Sequence, residues 1–366
     1  MGVRSVVIVA LVALAAVVGA LVVLKKSDGG RRRPPPSESG DAEPGEPSEE
    51  PGSLPDVAAR IRNFERAPAS QQILADFVRA CVERGAEAVP ELAARLRNEP
   101  DIALQTRWSF DGDQLQGFPS LRSAYIAALV AIPGPEARDA LIDTLDATSS
   151  TNEAFHIVAG LVERGDGGFT TAALEKAQRA GPGEMERARE LVGMTAEADP
   201  AGTAAEIVAL TPRAEDGRDP AMLARGLEVL PMERAAAAAR TLCADPDVTP
   251  KAKERYLRSL CDRGEPELLA QLRQLAAEGL LDREMKIKLA YAAVNSNAFY
   301  LDKARFDVAA AGGDPVPQAE IREVYDRRLR EVELIIEAAV PAEVEGAGPL
   351  LESLQRRLEE KRQVLR

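Results

Sequence analysis

The sequence predicts an all-α fold: an α-solenoid of antiparallel helix pairs, preceded by one transmembrane helix and a disordered linker and closed by a C-terminal helical hairpin. Three observations carry that expectation. Apolar residues recur three and four apart along most of the chain, the spacing that places them on one face of a helix. The pair Arg-Gly follows such a stretch at Arg84-Gly85, Arg164-Gly165 and Arg263-Gly264. Aromatic residues make up only 4% of the 366 residues while alanine and leucine abound, a composition suited to thin, closely packed helices and poor for a β-sandwich.

In chain order, residues 1–5 are a short tail and Val6 to Leu24 carries no polar side chain. As a helix that run covers about 28 Å, close to the hydrocarbon thickness of a bilayer. A cleaved signal peptide is the other reading, but Val18-Gly19-Ala20 is a poor cleavage site and four more apolar residues follow it. The segment is therefore expected to anchor the chain in the cell membrane as a single pass. Arg4 precedes it, whereas Lys25, Lys26, Arg31, Arg32 and Arg33 follow it. That asymmetry favours a cytoplasmic location for the rest of the chain, with export as the alternative for a chain with so small an N-terminal tail. Residues 25–54 are rich in Pro, Gly, Ser and Glu without apolar periodicity, the composition of a disordered linker. Its arginine cluster is either a topology signal or a contact for anionic headgroups.

Helical repeats are expected over residues 55–280. In the first unit Ile73, Leu74, Phe77, Val78 and Cys81 share one helix face. Arg84 places a cation at the helix C-terminus and Gly85 admits a left-handed residue beyond it. Pro90 then sits in the first turn of the next helix, where its missing N–H costs nothing. Neither helix of such a pair can bury its stripe alone, so further pairs must stack against it. Bends of the same kind fall at Gly85, Gly134, Gly165, near Pro200, at Pro231 and at Gly264, and after a longer first interval they recur every 30–35 residues or so.

Gly85-x-x-Ala88-Val89-Pro90-x-Leu92-x-x-x-Leu96 resembles the short bacterial type of HEAT or HEAT-like repeat, and Ile132-Pro133-Gly134-Pro135-Glu136-Ala137 resembles the same bend in another spelling. The likeness runs from about Ile73 to Leu280 and is loosest in the fourth unit, where Asp199-Pro200-Ala201-Gly202 lacks Arg-Gly. The resemblance implies architecture and a scaffold for protein partners; it implies no chemistry. Some HEAT-like proteins are bilin lyases, and nothing in this sequence matches such a site.

The longer first interval points to an insertion at 98–120. It contains Trp108, the only tryptophan, with Phe110 and Phe118, and Asp111-Gly112 is placed to turn a tight hairpin. These three aromatics are the candidate partner-binding residues; the competing role is to cover the exposed edge between the first two repeats. Asp111-Gly112-Asp113 lacks the further carboxylates of a calcium loop.

Composition removes other classes. The formal net charge is −13, opposite in sign to the footprint of a nucleic-acid binder. Cys81, Cys243 and Cys261 form no C-x-x-C pair and read as small core residues. His156 is the only histidine, so neither a histidine metal site nor a Ser-His dyad finds a second partner, and no phosphate-binding or dinucleotide motif occurs. No catalytic residue, cofactor or metal ligand is assigned.

Residues 281–366 lose the period. Arg283 to Phe306 reads as a longer helix that Asn295-Ser296-Asn297 can break, and Gln318–Val340 and Leu350–Leu365 as two further helices. They either cap the open end of the array, as every solenoid requires, or pair with another chain through the near-heptad Leu351, Leu354, Leu358 and Leu365, with Lys361 interrupting the spacing. The expected function is a membrane-tethered scaffold that binds a protein partner. The alternatives are an enzyme whose array frames a carboxylate-lined pocket, and a structural envelope protein self-associating through its C-terminal helices.

Overall fold

The structure is a computed structural model and describes residues 54, 56–62, 67–104, 107–211, 220–310, 316–340 and 348–364. The expected membrane segment 6–24, its flank Lys25, Lys26, Arg31, Arg32 and Arg33, and linker residues 25–53 lie outside the described residues. So do most of the loops expected at 312–315 and 341–349. Among the described residues no helix is long and apolar enough to cross a membrane.

The described chain is all-α apart from one small hairpin. It begins with α1 (Val57–Arg62), α2 (Ala67–Arg84), α3 (Val89–Asn98), α4 (Leu121–Ala131), α5 (Pro135–Ala147) and α6 (Thr151–Glu163). It continues with α7 (Thr170–Gln178), α8 (Met185–Ala198), α9 (Pro200–Leu210), α10 (Ala221–Val229), α11 (Met232–Ala244) and α12 (Pro250–Arg263). It ends with α13 (Pro266–Ala277), α14 (Arg283–Val294), α15 (Ala298–Ala310), α16 (Gln318–Ala339) and α17 (Gly348–Arg362). The strands β1 (Phe110–Asp111) and β2 (Gln114–Leu115) lie between α3 and α4.

Local chemistry sets most helix ends. Ser120 and Ser123 form a reciprocal capping box at the start of α4, and the side chains of Ser150, Asp199, Thr249 and Asp282 accept from backbone N–H groups at the starts of α6, α9, α12 and α14. Each of the six bends read from the sequence falls between two helices: α2 and α3, α4 and α5, α6 and α7, α8 and α9, α10 and α11, α12 and α13. At Gly264 the chain turns with φ 68, and an added Cβ would lie 2.2 Å from that of Ala298, so both conformation and space require glycine there.

The contacts sort the helices into two files. Members of α2, α4, α6, α8, α10, α12 and α14 each pack on the next, and so do members of α3, α5, α7, α9, α11 and α13. The buried apolar residues of both files form one continuous core from Leu54 to Leu358. Cys81, Cys243 and Cys261 are buried in it, free of disulfides, and burial pushes their thiols up, to about 12 for Cys81 and about 11 for Cys243. The stretch Arg283 to Phe306, read as a longer helix that Asn295-Ser296-Asn297 can break, is broken there: α14 stops at Val294 and α15 starts at Ala298. The break is held by Ser296, whose hydroxyl donates to Cys261 O at 2.6 Å, and by Asn297, whose N–H donates to Asp262 Oδ1 at 2.9 Å. The long α16 packs on both α13 and α14, and α17 packs on α14 and α16 with Leu354 and Leu358 buried.

Two of the three Arg-Gly bends, at Arg164 and Arg263, do more than the helix dipole argument required. Arg164 donates to Ile132 O at 3.1 Å and Gly134 O at 2.9 Å, and Arg263 donates to Leu227 O at 2.9 Å and Leu230 O at 2.5 Å. Each guanidinium therefore satisfies carbonyls at the C-terminal end of the preceding helix in its own file. Asp166 and Glu265 hold the two guanidiniums in place, at 2.9 and 2.8 Å. Such charge-assisted bonds contribute about 1.5–3 kcal/mol each when partly buried. Replacing Arg263 by alanine should lower unfolding stability by about 2–4 kcal/mol, and Arg263→Lys should recover less than half of it, since an ammonium lacks the planar fork. Urea denaturation followed by helicity measures both; a lysine variant as stable as the parent would remove the two-carbonyl role.

Candidate functional site

The insertion between α3 and α4 is a two-stranded ribbon. Its base is tied by Leu104 N–H donating to Pro119 O at 2.8 Å and Leu121 N–H donating to Ile102 O at 3.0 Å. Its tip pairs Phe110 with Leu115 and Asp111 with Gln114, so the two-residue turn is Gly112-Asp113, one residue later than the sequence suggested. Gly112 has φ 58 and no non-glycine residue among those described has a positive φ, which is the type II′ pattern with glycine in first place.

All three candidate aromatics lie in this ribbon, with different surroundings. Phe118 is half-buried, and its backbone exchanges two hydrogen bonds of 2.7 Å with the Gln71 side chain of α2. Phe110 is also half-buried and points inward: its ring meets Phe155 of α6 edge-on at 5.0 Å and His156 at 6.3 Å. Trp108 is stacked on Phe110 at 5.9 Å with 10° between the planes. The guanidinium of Arg187, from α8, lies 4.2 Å from the Phe110 ring centre and 4.3 Å from that of Phe155. Phe110 and Phe118 thus fasten the ribbon to the helices, and Trp108 is the outermost ring of the stack. No sequence pattern marked Arg187; only the fold brings it under the ribbon.

Beyond the hairpin tip the first helix file presents an open groove of about 870 Å³. Gly112 and Asp113 border one end, and Phe155, Gly193, Met194, Ala221 and Val229 supply its small and apolar surface. Its charged residues are Glu186, Arg189, Glu190 and Glu197 of α8, Arg225 and Glu228 of α10 and Arg255 of α12. Glu190 pairs with Arg187 at 2.5 Å; Glu228 pairs with Arg225 and accepts from the Ser259 hydroxyl at 2.7 Å. Asp113, Glu186, Glu197, Arg189 and Arg255 form no ion pair among the described residues. Glu186, Glu190, Gly193 and Glu197 are spaced four, three and four apart, one stripe along α8. From sequence alone that stripe is indistinguishable from an ordinary solvated face. The arrangement can pair with charged side chains and cover an apolar residue between them. Among the described residues no group of three or more His, Cys, Asp or Glu is placed to hold a metal ion.

His156 is buried, and its Nδ1 has no hydrogen-bond partner among the described residues. Burial lowers its pKa to about 4. Because the native state resists the proton that the unfolded chain accepts near 6.5, stability is complete above pH 6.5 and is lost as pH falls towards 4, by about 3 kcal/mol at most. His156 is the only histidine, so the slope between pH 6.5 and 5 belongs to it. A His156→Leu variant should show a flat denaturation midpoint over that window; an unchanged slope would assign the titration elsewhere. For the ribbon, Phe110→Ala should cost about 2–4 kcal/mol, shift Trp108 emission to the red and leave helicity in place. Unchanged emission would separate Trp108 from the stack.

No protein-family model matches the chain, and no curated protein and no solved structure is detectably similar to it.

Proposed function

We propose that the chain is a HEAT-like α-solenoid scaffold, tethered to the cell membrane through Val6–Leu24, which holds a protein partner along the face of α6, α8, α10 and α12. The two-file order of the helix contacts supports the solenoid, together with the recurrence of the same bend at six places. The observation that carries the binding role is the groove: several successive helices and the tip of an inserted hairpin border one open, charged surface with an apolar floor. Solenoids use such extended faces to hold partners. The linker composition gives the array reach from the bilayer, and the cations after the membrane segment favour the cytoplasmic side.

Of the other readings, self-association through the last helices finds least support, since Leu354 and Leu358 are buried within the chain itself. An enzyme needs carboxylates withdrawn from solvent, whereas Glu186, Glu190 and Glu197 are exposed.

Crosslinking in intact membranes followed by purification tests the proposal, with protease protection reporting the side. Replacing residues 108–116 by a short Gly-Ser connection should leave helicity unchanged and reduce recovery of the crosslinked partner at least tenfold. Equal recovery would take the hairpin out of the recognition surface.

A further inference from the structure

The groove is not uniformly charged, and the distribution names the chemistry of what fits it. On the hairpin and α8 side stand four carboxylates, Asp113, Glu186, Glu190 and Glu197, with Arg189 among them and Arg187 paired to Glu190, so three carboxylates are left without an ion pair among the described residues. On the α10 and α12 side stand Arg225 and Arg255 against the single Glu228. Gly193 of α8 faces α10 across the groove: an added Cβ would meet only Val229 Cγ2 at 4.0 Å, so the groove is open there for want of a side chain. Met194 and Val229 flank that opening. Three helix axes packed about 8–10 Å apart set a length near 20 Å, which six or seven extended residues cover at about 3.3 Å each.

We infer that the groove binds an extended peptide segment of a partner protein that is basic at one end, acidic at the other and apolar in the middle. Lysine or arginine lies along α8 and beneath Asp113. The apolar residue fills the space over Gly193, and the carboxylate end meets Arg255. The inference rests on the reading of the chain as a protein-binding scaffold and adds the polarity of the bound segment. A uniformly basic segment would be drawn to the acidic chain in general, but in the groove it would set its far end against Arg225 and Arg255. A uniformly acidic one would meet the carboxylates of α8. Opposed charges thus select against both.

The test uses the full chain in a nonionic detergent and fluorescent nonapeptides read by anisotropy at low salt. One peptide carries three lysines, Ala-Leu-Ala and three glutamates; the controls replace the glutamates by lysine or the lysines by glutamate. The dipolar peptide should bind at least tenfold more tightly than either control. Reversing the exposed Glu186→Arg and Glu197→Arg together should cost it tenfold or more. Gly193→Leu, which fills the middle without touching any charge, should do the same with helicity retained. Equal or tighter binding of the all-lysine peptide would overturn the inference, since overall acidity would then explain attraction. Indifference to Gly193→Leu would place the peptide elsewhere, and absence of binding by any peptide at millimolar concentration would also overturn it. Tighter binding after Arg31→Ser, Arg32→Ser and Arg33→Ser would reassign the groove to the chain's own arginine cluster. A crosslinked membrane partner whose recovery ignores Gly193→Leu would leave the scaffold reading standing without the groove; no partner and no peptide would end both.

Discussion

The structure depends on one recurring need: the last carbonyls of each helix in the first file must be satisfied where the chain bends away. An α-helix leaves four carbonyls unpaired at its C-terminus, and burying them against a neighbouring helix without donors is costly. At two of these ends the chain supplies the donor from the next helix in the file. Arg164 serves the end of α4 and Arg263 serves the end of α10. Elsewhere a smaller group takes the part: Ser296, between α14 and α15, donates to Cys261 O near the end of α12, while Ser259 ties α12 to the middle of α10 by donating to Ala224 O at 2.9 Å. Because each donor lies 30–36 residues downstream of its acceptor, the bond joins helices from successive bends and fixes their register. Apolar contact between two alanine-rich helices tolerates sliding, whereas a forked guanidinium on two carbonyls does not.

The fourth bend meets the opposite need, an acceptor for the N–H groups at a helix start. Asp199-Pro200 carries no arginine, and the Asp199 carboxylate accepts from the Thr170 hydroxyl at 2.8 Å and from Gly202 N–H at 2.9 Å. It thereby caps α9 and ties the pair to the start of α7 at once. Steric closeness adds to this in the files. An added Cβ at Gly160 would come within 2.6 Å of Val130, and one at Gly226 within 2.7 Å of Ile207. Glycine inside a helix costs about 0.5–1 kcal/mol relative to alanine, and at these two places the cost is offset by the side chains of Val130 and Ile207, which pack into the space a Cβ would take.

How much of this could be read from residues alone follows from range. The helices, their six bends and the ribbon were legible because periodicity, Arg-Gly, Pro and Asp-Gly act over a few neighbouring positions. The turn at Gly112-Asp113 was missed by one residue because either dipeptide can occupy a tight turn, and pairing across the ribbon decides between them. The break at Asn295–Asn297 was left open in the sequence because asparagine and serine only weaken a helix; Cys261 O and Asp262, a repeat away, complete it. The groove was illegible. Glu186, Gly193, Arg225 and Arg255 carry no local pattern beyond a polar face, and they become neighbours only when α8, α10 and α12 are set side by side. Phe110 and Phe118 were identified as unusual, but whether they face outward or inward depends on Gln71, Phe155 and Arg187, which are far away in sequence.

The end of the array follows from the same constraint. The two files end at α13 and α14, and α16 packs on both. Its Arg328 is buried and donates to Gly264 O, the carbonyl at the last Arg-Gly bend, and to Ala298 O at 3.3 Å, while pairing with Asp302. Burial pulls its pKa down to about 10, far enough above neutrality for the guanidinium to stay charged. A buried charge of this kind is tolerated only with its partners in place, and losing one of them typically costs about 3–5 kcal/mol. Arg328 therefore does for the terminal bend what Arg164 and Arg263 do for the ends before it, from a helix outside both files. That placement displaces α15, which packs on α12 and α16 and leaves Tyr300, Leu301 and Val308 exposed. α15 belongs to neither file: with α12 and α16 on its inner side, no helix of either file covers Tyr300, Leu301 and Val308.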